Sequence, residues 1–182
     1  MSVAVRAACA EAFDIGEVRT MQQDAEFGVR QIVDMALKAI SPAVNDPSTA
    51  ATCIDHLGAI LCRLARRRCP GSEMRHPATG ELLLVWRPIS FQRFIDLAFN
   101  QIRQYSRGDM AVALRIARAL GEVAEATRLR AHLDRVLHHA ALLEAGLSRD
   151  FPPADRVELE ARLRALRERC AAPPEACDIL PA

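Results

Sequence analysis

The chain has 182 residues, a formal net charge of +1, 51% hydrophobic residues and 26% charged residues, which is the composition of a folded globular protein and excludes a disordered one. A near-neutral chain with only 4% aromatic residues has neither a strong positive field nor a stacking surface, so we expect no nucleic-acid partner. Charged residues interrupt every apolar run before it reaches membrane-spanning length. We therefore expect this chain by itself to be soluble and cytoplasmic.

The first strong helical pattern covers residues 25–40. Apolar residues recur there every three or four positions, as on the buried face of an amphipathic helix: Val29, Ile32, Val33, Ala36, Leu37 and Ile40. Beside this stripe, Arg30, Asp34 and Lys38 are spaced four apart, which is the spacing of an exposed row of ion pairs. A second helix with similar periodicity begins at Pro47, and the short connection predicts that the two helices are antiparallel neighbours.

A tight corner, residues 41–50, joins these two helices. Pro42 ends the first helix, because the residue before a proline avoids helical dihedrals. Asp46 precedes Pro47 at the first helical position and is predicted to be the N-cap of the second helix. Asn45 is predicted to adopt left-handed dihedrals or to bond its own backbone. The alternative for Asn45 and Asp46 is a ligand-facing role at the positive end of the second helix, where an anion is favoured.

The chain then changes from helical to strand-like periodicity. Alternating residues in 73–87, with a turn at 77–80, predict a small β-hairpin. A two-stranded ribbon is only marginally stable alone, so we expect it to lean on the helices or on a partner, with Trp86 as its anchor.

Helical periodicity returns after the hairpin. Four further helices are predicted at about 90–106, 109–124, 129–147 and 154–170, with a turn at Arg107-Gly108-Asp109. The last residues, 171–182, contain three prolines and are expected to be disordered. The fold class is all-α: a single domain over 1–170, built as a bundle of about six helices with one small hairpin.

Polar residues on these helices suggest one candidate site. If the corner and the helical faces converge, they form either a ligand-binding site or a structural polar network from Arg30, Asp34, Asn45, Asp46, Asp55 and Arg103. Such a network more often fixes helix packing than performs chemistry. Within it, the Arg103 guanidinium is expected to reach Asp34 or Asp55.

Sequence signals for catalysis or for a metal are weak. The six cysteines form no Cys-x-x-Cys pair. His132 and His139 lie roughly 10 Å apart along one helix, too far to chelate one ion by themselves, and with His138 they are expected to be partly exposed. No phosphate loop or nucleophile motif occurs. We therefore expect no enzyme activity, no cofactor and no metal.

Two blocks of sequence resemble a bacterial family of predicted membrane proteins that is known only as a domain of unknown function. The first block contains Asp24, Phe27, Gly28, Arg30, Gln31, Asp34, Ser41, Pro42, Asn45, Asp46, Pro47, Thr49, Ala50, Cys53, Asp55 and Leu57. The second is the run 98–105, and the resemblance extends over about Phe13 to Ala124. Members of that family usually carry transmembrane helices before this region and belong to the bacterial inner membrane.

The resemblance implies an address near the membrane, reached through transmembrane segments outside this chain or through a partner. We expect a non-catalytic helical domain that mediates assembly or regulation on the cytoplasmic side of a membrane protein, and a homo-oligomer, most simply a dimer. The alternative is a small-ligand or ion-binding domain with its site at the Asn45-Asp46 corner.

Overall fold

A computed structural model describes residues 3–12, 20–21, 24–67, 71–106, 109–146 and 152–171. These residues form seven helices and a two-stranded antiparallel sheet: α1 (Val3–Glu11), α2 (Ala25–Ala39), α3 (Pro47–Ala65), β1 (Glu73–Arg75), β2 (Leu82–Val85), α4 (Phe91–Tyr105), α5 (Met110–Ala126), α6 (Arg130–Ala145) and α7 (Pro153–Ala171). The all-α class with one small hairpin is confirmed. Helix α1 was not predicted. The expected tail beyond Ala171 and the turn residues 107–108 lie outside the described residues.

Side-chain caps begin α2, α4 and α5. The hydroxyl of Ser90 accepts from the Arg93 amide at the start of α4, and Asp109 accepts from the Val112 amide at the start of α5. At the start of α2, Asp24 accepts from the Phe27 amide at 3.1 Å. Each cap satisfies an amide that has no partner inside its helix.

Helices α2 to α7 share one hydrophobic core. Helix α5 packs against α3, α4, α6 and α7, while α4 packs against α2, α3 and α6. Helices α3, α4, α5, α6 and α7 contribute the largest fully buried side chains: Ile54, Leu57, Leu61, Phe91, Ile95, Phe99, Ile102, Ile116, Leu120, His139, Leu159 and Leu163. Helix α1 contributes no buried residue.

Helices α3 and α5 approach each other closely at Gly58. A Cβ atom added to Gly58 would lie 3.1 Å from the Cβ of Ala119. The absence of a side chain at Gly58 therefore allows the two backbones to come together.

The hairpin projects from the bundle. Glu73 pairs with Val85 and Met74 with Leu84, and the register shifts between Met74 and Arg75. Every residue of both strands is exposed. Trp86, just after β2, is half-buried. The sheet therefore buries neither face against the helices. A ribbon that leaned on the helices, as one of the two expectations had it, would bury one face.

None of the helices in the described ranges is both long enough and apolar enough to cross a membrane.

Candidate functional site

The corner between α2 and α3 is organised around Asp46. Its Oδ1 atom accepts from the amides of Ser48 and Thr49, both at 3.1 Å, and from the Ser48 hydroxyl at 2.6 Å. Its Oδ2 atom accepts from the Thr49 hydroxyl at 2.5 Å. The hydroxyl bonds, first that of Ser48 and then that of Thr49, hold the pKa of Asp46 at about 2. The predicted N-cap is confirmed, and both carboxylate oxygens are engaged in it.

Asn45 makes the sharp turn that leads into this cap. Its φ of 48° lies in the left-handed region, as predicted, and its side chain is exposed. The Asn45 amide donates to the Ser41 carbonyl at 2.9 Å, and the Asp46 amide donates to the Ala39 carbonyl at 2.9 Å. A left-handed asparagine accounts for the corner by backbone geometry alone. A ligand at Asn45 stays a prediction.

The predicted convergence on the corner does not occur as a buried network. Asp34 and Arg30 are exposed on α2. Asp55 is half-buried and pairs with Arg115 of α5, whose Nε donates to Oδ1 at 2.6 Å and whose Nη2 donates to Oδ2. Asp34 is not part of a buried network, because its position on α2 leaves its side chain in solvent.

Arg103 was expected to hold Asp34 or Asp55. It lies half-buried on α4. The cation that binds both oxygens of Asp55 is Arg115, which the sequence reading did not single out. This pair joins α3 to α5, the two helices that also meet at Gly58.

A polar cleft lies along α4, between α2 and α6. It is open to solvent and has a volume of about 610 Å³. The lining residues are mostly polar: Glu26, Arg30, Ser90, Gln92, Arg93, Asp96, Leu97, Asn100, Gln101 and Arg135. Of the six predicted site residues, Arg30 is the one that lines this cleft.

One end of the cleft carries an ion pair between α2 and α4. The side chain of Glu26 is only 8% exposed, and both of its oxygens accept from Arg93, with Nη2 donating to Oε2 at 3.0 Å. The hydrogen bonds from Arg93 lower the pKa of Glu26 despite its burial. Glu26 is spaced three and seven residues from Val29 and Val33, so its place on the apolar stripe is the signal that could have identified it.

A second polar cluster joins α4 to α6. Nε of Arg135 donates to Oδ1 of Asp96 at 2.7 Å, and Nη2 donates to Oδ2. Nε2 of His139 bonds to Oδ1 at 2.9 Å. Partial burial raises the pKa of Asp96, but the hydrogen bonds from Arg135 and His139 outweigh it and the pKa is lowered. Asp96 is therefore an ionised acceptor that fixes two side chains of α6.

The histidines of α6 are more buried than expected. His132 is 5% exposed and His139 only 1% exposed, whereas His138 is exposed as expected. His132 bonds Thr127 Oγ1 at 2.9 Å and stacks on Phe91 with ring centroids 4.0 Å apart. Burial lowers the pKa of both buried imidazoles, and for His139 it does so against the opposing effect of Asp96. Their spacing of seven along the helix matches the buried stripe and could have revealed this.

No metal site is apparent in the described part of the chain. Within those ranges, no group of three or more histidine, cysteine, aspartate or glutamate side chains is placed to hold an ion.

The fold and the polar clusters thus define a helical domain held by interhelical arginine–carboxylate pairs. Residues 2–122 match the family described as "Predicted membrane protein (DUF2254)", and the chain belongs to that family. The chain is also 42% identical over 118 residues to uncharacterized proteins of Mycobacterium bovis and Mycobacterium tuberculosis. The matched region is 64% of this chain and 22% of each relative, so it spans about a fifth of their length. No solved structure matches the chain.

Proposed function

We propose that this chain is a non-catalytic assembly domain on the cytoplasmic side of a membrane protein, and that it associates by pairing its hairpin with the hairpin of a second copy. The observation that carries the proposal is the exposure of the apolar strand β2. Leu83 is 54% exposed and Val85 is 61% exposed, although both belong to a regular strand.

Strand β2 has the properties of an unprotected edge. It consists of four apolar residues, Leu82 to Val85, and it is an edge strand, because the sheet has only two strands within the described residues. Folded proteins commonly protect such an edge with charges or a proline, and β2 contains neither. Alternate side chains point to opposite faces, so both faces of the strand present apolar surface.

The proposed occupant of this edge is a second copy of the chain. Two β2 strands related by a twofold axis would pair antiparallel and form a four-stranded sheet from two marginal ribbons. Each copy would contribute the same strand to the interface, as twofold symmetry requires. Copies held side by side in a membrane would also have a high effective concentration, which favours pairing through a small surface.

No reaction is included in this proposal. The oxygens of Asp46 cap α3, those of Asp55 bind Arg115, and those of Asp96 bind Arg135. These carboxylates therefore serve helix capping and packing.

Light scattering on matched variants tests the assembly proposal. Leu83→Lys with Val85→Lys charges the strand, while Val157→Lys charges an apolar residue of α7 that is also 65% exposed. We expect wild type and Val157→Lys to have twice the monomer mass at high micromolar concentration, and the hairpin variant to be a monomer. A monomeric wild type, or a hairpin variant that still dimerises, would contradict the proposal.

A further inference from the structure

The cleft along α4 has an excess of positive charge that its own ion pairs do not neutralise. Three guanidinium groups line it, on Arg30, Arg93 and Arg135, against two carboxylates, on Glu26 and Asp96. Each carboxylate is already held by one arginine: Glu26 by Arg93, and Asp96 by Arg135. One positive charge, that of Arg30, remains.

Arg30 is available to a ligand. Its side chain is exposed, and within the described ranges it makes no hydrogen bond or ion pair of its own. It lies one helical turn after Glu26, on the same wall of the cleft, so its charge contributes to lowering the pKa of Glu26 without forming a salt bridge to it.

Arg93 also keeps donors free for a ligand. It uses Nε and Nη2 for Glu26, and its side chain remains 60% exposed. A guanidinium has five N–H donors, so those on Nη1 are not needed by Glu26. Asn100, half-buried on the same helix, adds an amide to the lining.

We propose that this cleft binds the phosphate group of a small molecule or of a lipid, with Arg30 and the free side of Arg93 as its main ligands. Donors from two different helices suit a tetrahedral oxyanion, whose oxygens point in several directions, and guanidinium groups bind such oxygens with two parallel hydrogen bonds. The volume of about 610 Å³ accommodates an organic group attached to the phosphate. This site is separate from the hairpin and does not depend on assembly.

Thermal unfolding in the presence of inorganic phosphate tests the site, at constant ionic strength maintained with chloride. Arg30→Gln removes the unpaired charge, and Lys38→Gln removes one exposed charge from the same helix away from the cleft. Phosphate also stabilises proteins non-specifically, so the readout is the difference between the two variants. We expect wild type and Lys38→Gln to show a saturable rise in Tm, and Arg30→Gln to bind at least about tenfold more weakly, a difference of roughly 1.4 kcal/mol.

Two further arms distinguish the source of the phosphate. One repeats the titration with glycerol 3-phosphate, and the other measures flotation with phosphatidylcholine vesicles that contain phosphatidic acid. If glycerol 3-phosphate binds and the binding requires Arg30, the ligand is a soluble phosphate ester. If the vesicles bind and the binding requires Arg30, the ligand is a lipid headgroup. The proposal is overturned if neither probe binds in an Arg30-dependent way, or if Arg30→Gln and Lys38→Gln respond alike to every probe.

Discussion

Arg135 of α6 donates two hydrogen bonds to Asp96 of α4, and the Nε bond measures 2.7 Å. The Asp96 side chain is 29% exposed and that of Arg135 is 30% exposed, so the pair is partly withdrawn from water. Because His139 bonds the same carboxylate, Asp96 connects α4 to two successive turns of α6. Removing the carboxylate would therefore disturb an interface rather than a surface.

Asp96→Ala is expected to destabilise the fold by about 2 kcal/mol, because it leaves Arg135 and the buried His139 without their acceptor. The matched control is Asp134→Ala, which breaks the exposed pair between Arg130 and Asp134 within α6. Exposed pairs of this kind contribute less than about 0.5 kcal/mol. Urea unfolding of both variants checks the difference, and equal losses would show that the Asp96 cluster behaves as a surface pair.

Stability is expected to fall as the pH drops below about 6.5. The folded pKa values of His132 and His139 are lowered by burial from 6.5, so the unfolded chain takes up protons first. Their contribution is complete above 6.5 and is lost as the pH falls toward the folded values. Urea unfolding at about pH 7.5 and about pH 5.5 measures this slope.

A histidine variant shows whether the slope comes from the buried ring. His139→Asn should reduce the pH dependence, whereas His138→Asn, an exposed neighbour on the same helix, should leave it unchanged. A wild-type free energy of unfolding that is the same at both pH values would refute this assignment.

Gly58 and Gly121 should respond in different ways to alanine. An added Cβ at Gly121 meets no atom within 4 Å, so Gly121→Ala should stabilise α5 by up to about 1 kcal/mol through helix propensity. At Gly58 the new methyl would lie 3.1 Å from Ala119, and α3 and α5 would have to shift. We expect Gly58→Ala to be about 1–2 kcal/mol less favourable than Gly121→Ala. Similar Tm values for the two variants would mean that the helices are not in close contact there.

The Asp46 cap gives a prediction at acid pH. Its folded pKa of about 2 lies below the ordinary value of 3.8, so its contribution is present above about 3.8 and is lost as the pH falls toward 2. Asp46→Ala should lower Tm at neutral pH by several degrees, because the cap is lost. It should also remove the part of the stability that depends on pH between about 3.8 and 2. Asp34→Ala, an exposed aspartate of α2, is the control and should melt like the wild type.

Local signals predicted the elements of this fold well. Pro42, Asp46 and Pro47 define the corner through short-range backbone rules, and the structure places the cap on Asp46 as predicted. The alternating residues before Trp86 likewise identified the hairpin. These features depend on neighbours within a few residues, which a single sequence displays directly.

The interhelical partners were not predictable in the same way. Asp55 and Arg115 are 60 positions apart, and Glu26 and Arg93 are 67 apart. Their pairing depends on how α2, α3, α4 and α5 pack together, and many arginines in the chain offered equally plausible partners. The burial of Glu26 and His139 was nevertheless readable from their helical spacing to apolar neighbours, and weighting periodicity above residue type would have found both.

Hydrogen exchange at two protein concentrations tests hairpin pairing most directly. If copies pair through β2, the amides of Leu82–Val85 should exchange more slowly at high micromolar than at low micromolar concentration, because the outer edge of this strand gains hydrogen bonds. Amides of α3 and α5, which lie in the core, should exchange at the same rate at both concentrations. Unchanged exchange in the hairpin at a concentration where light scattering shows a dimer would contradict the account, because the copies would then associate through another surface.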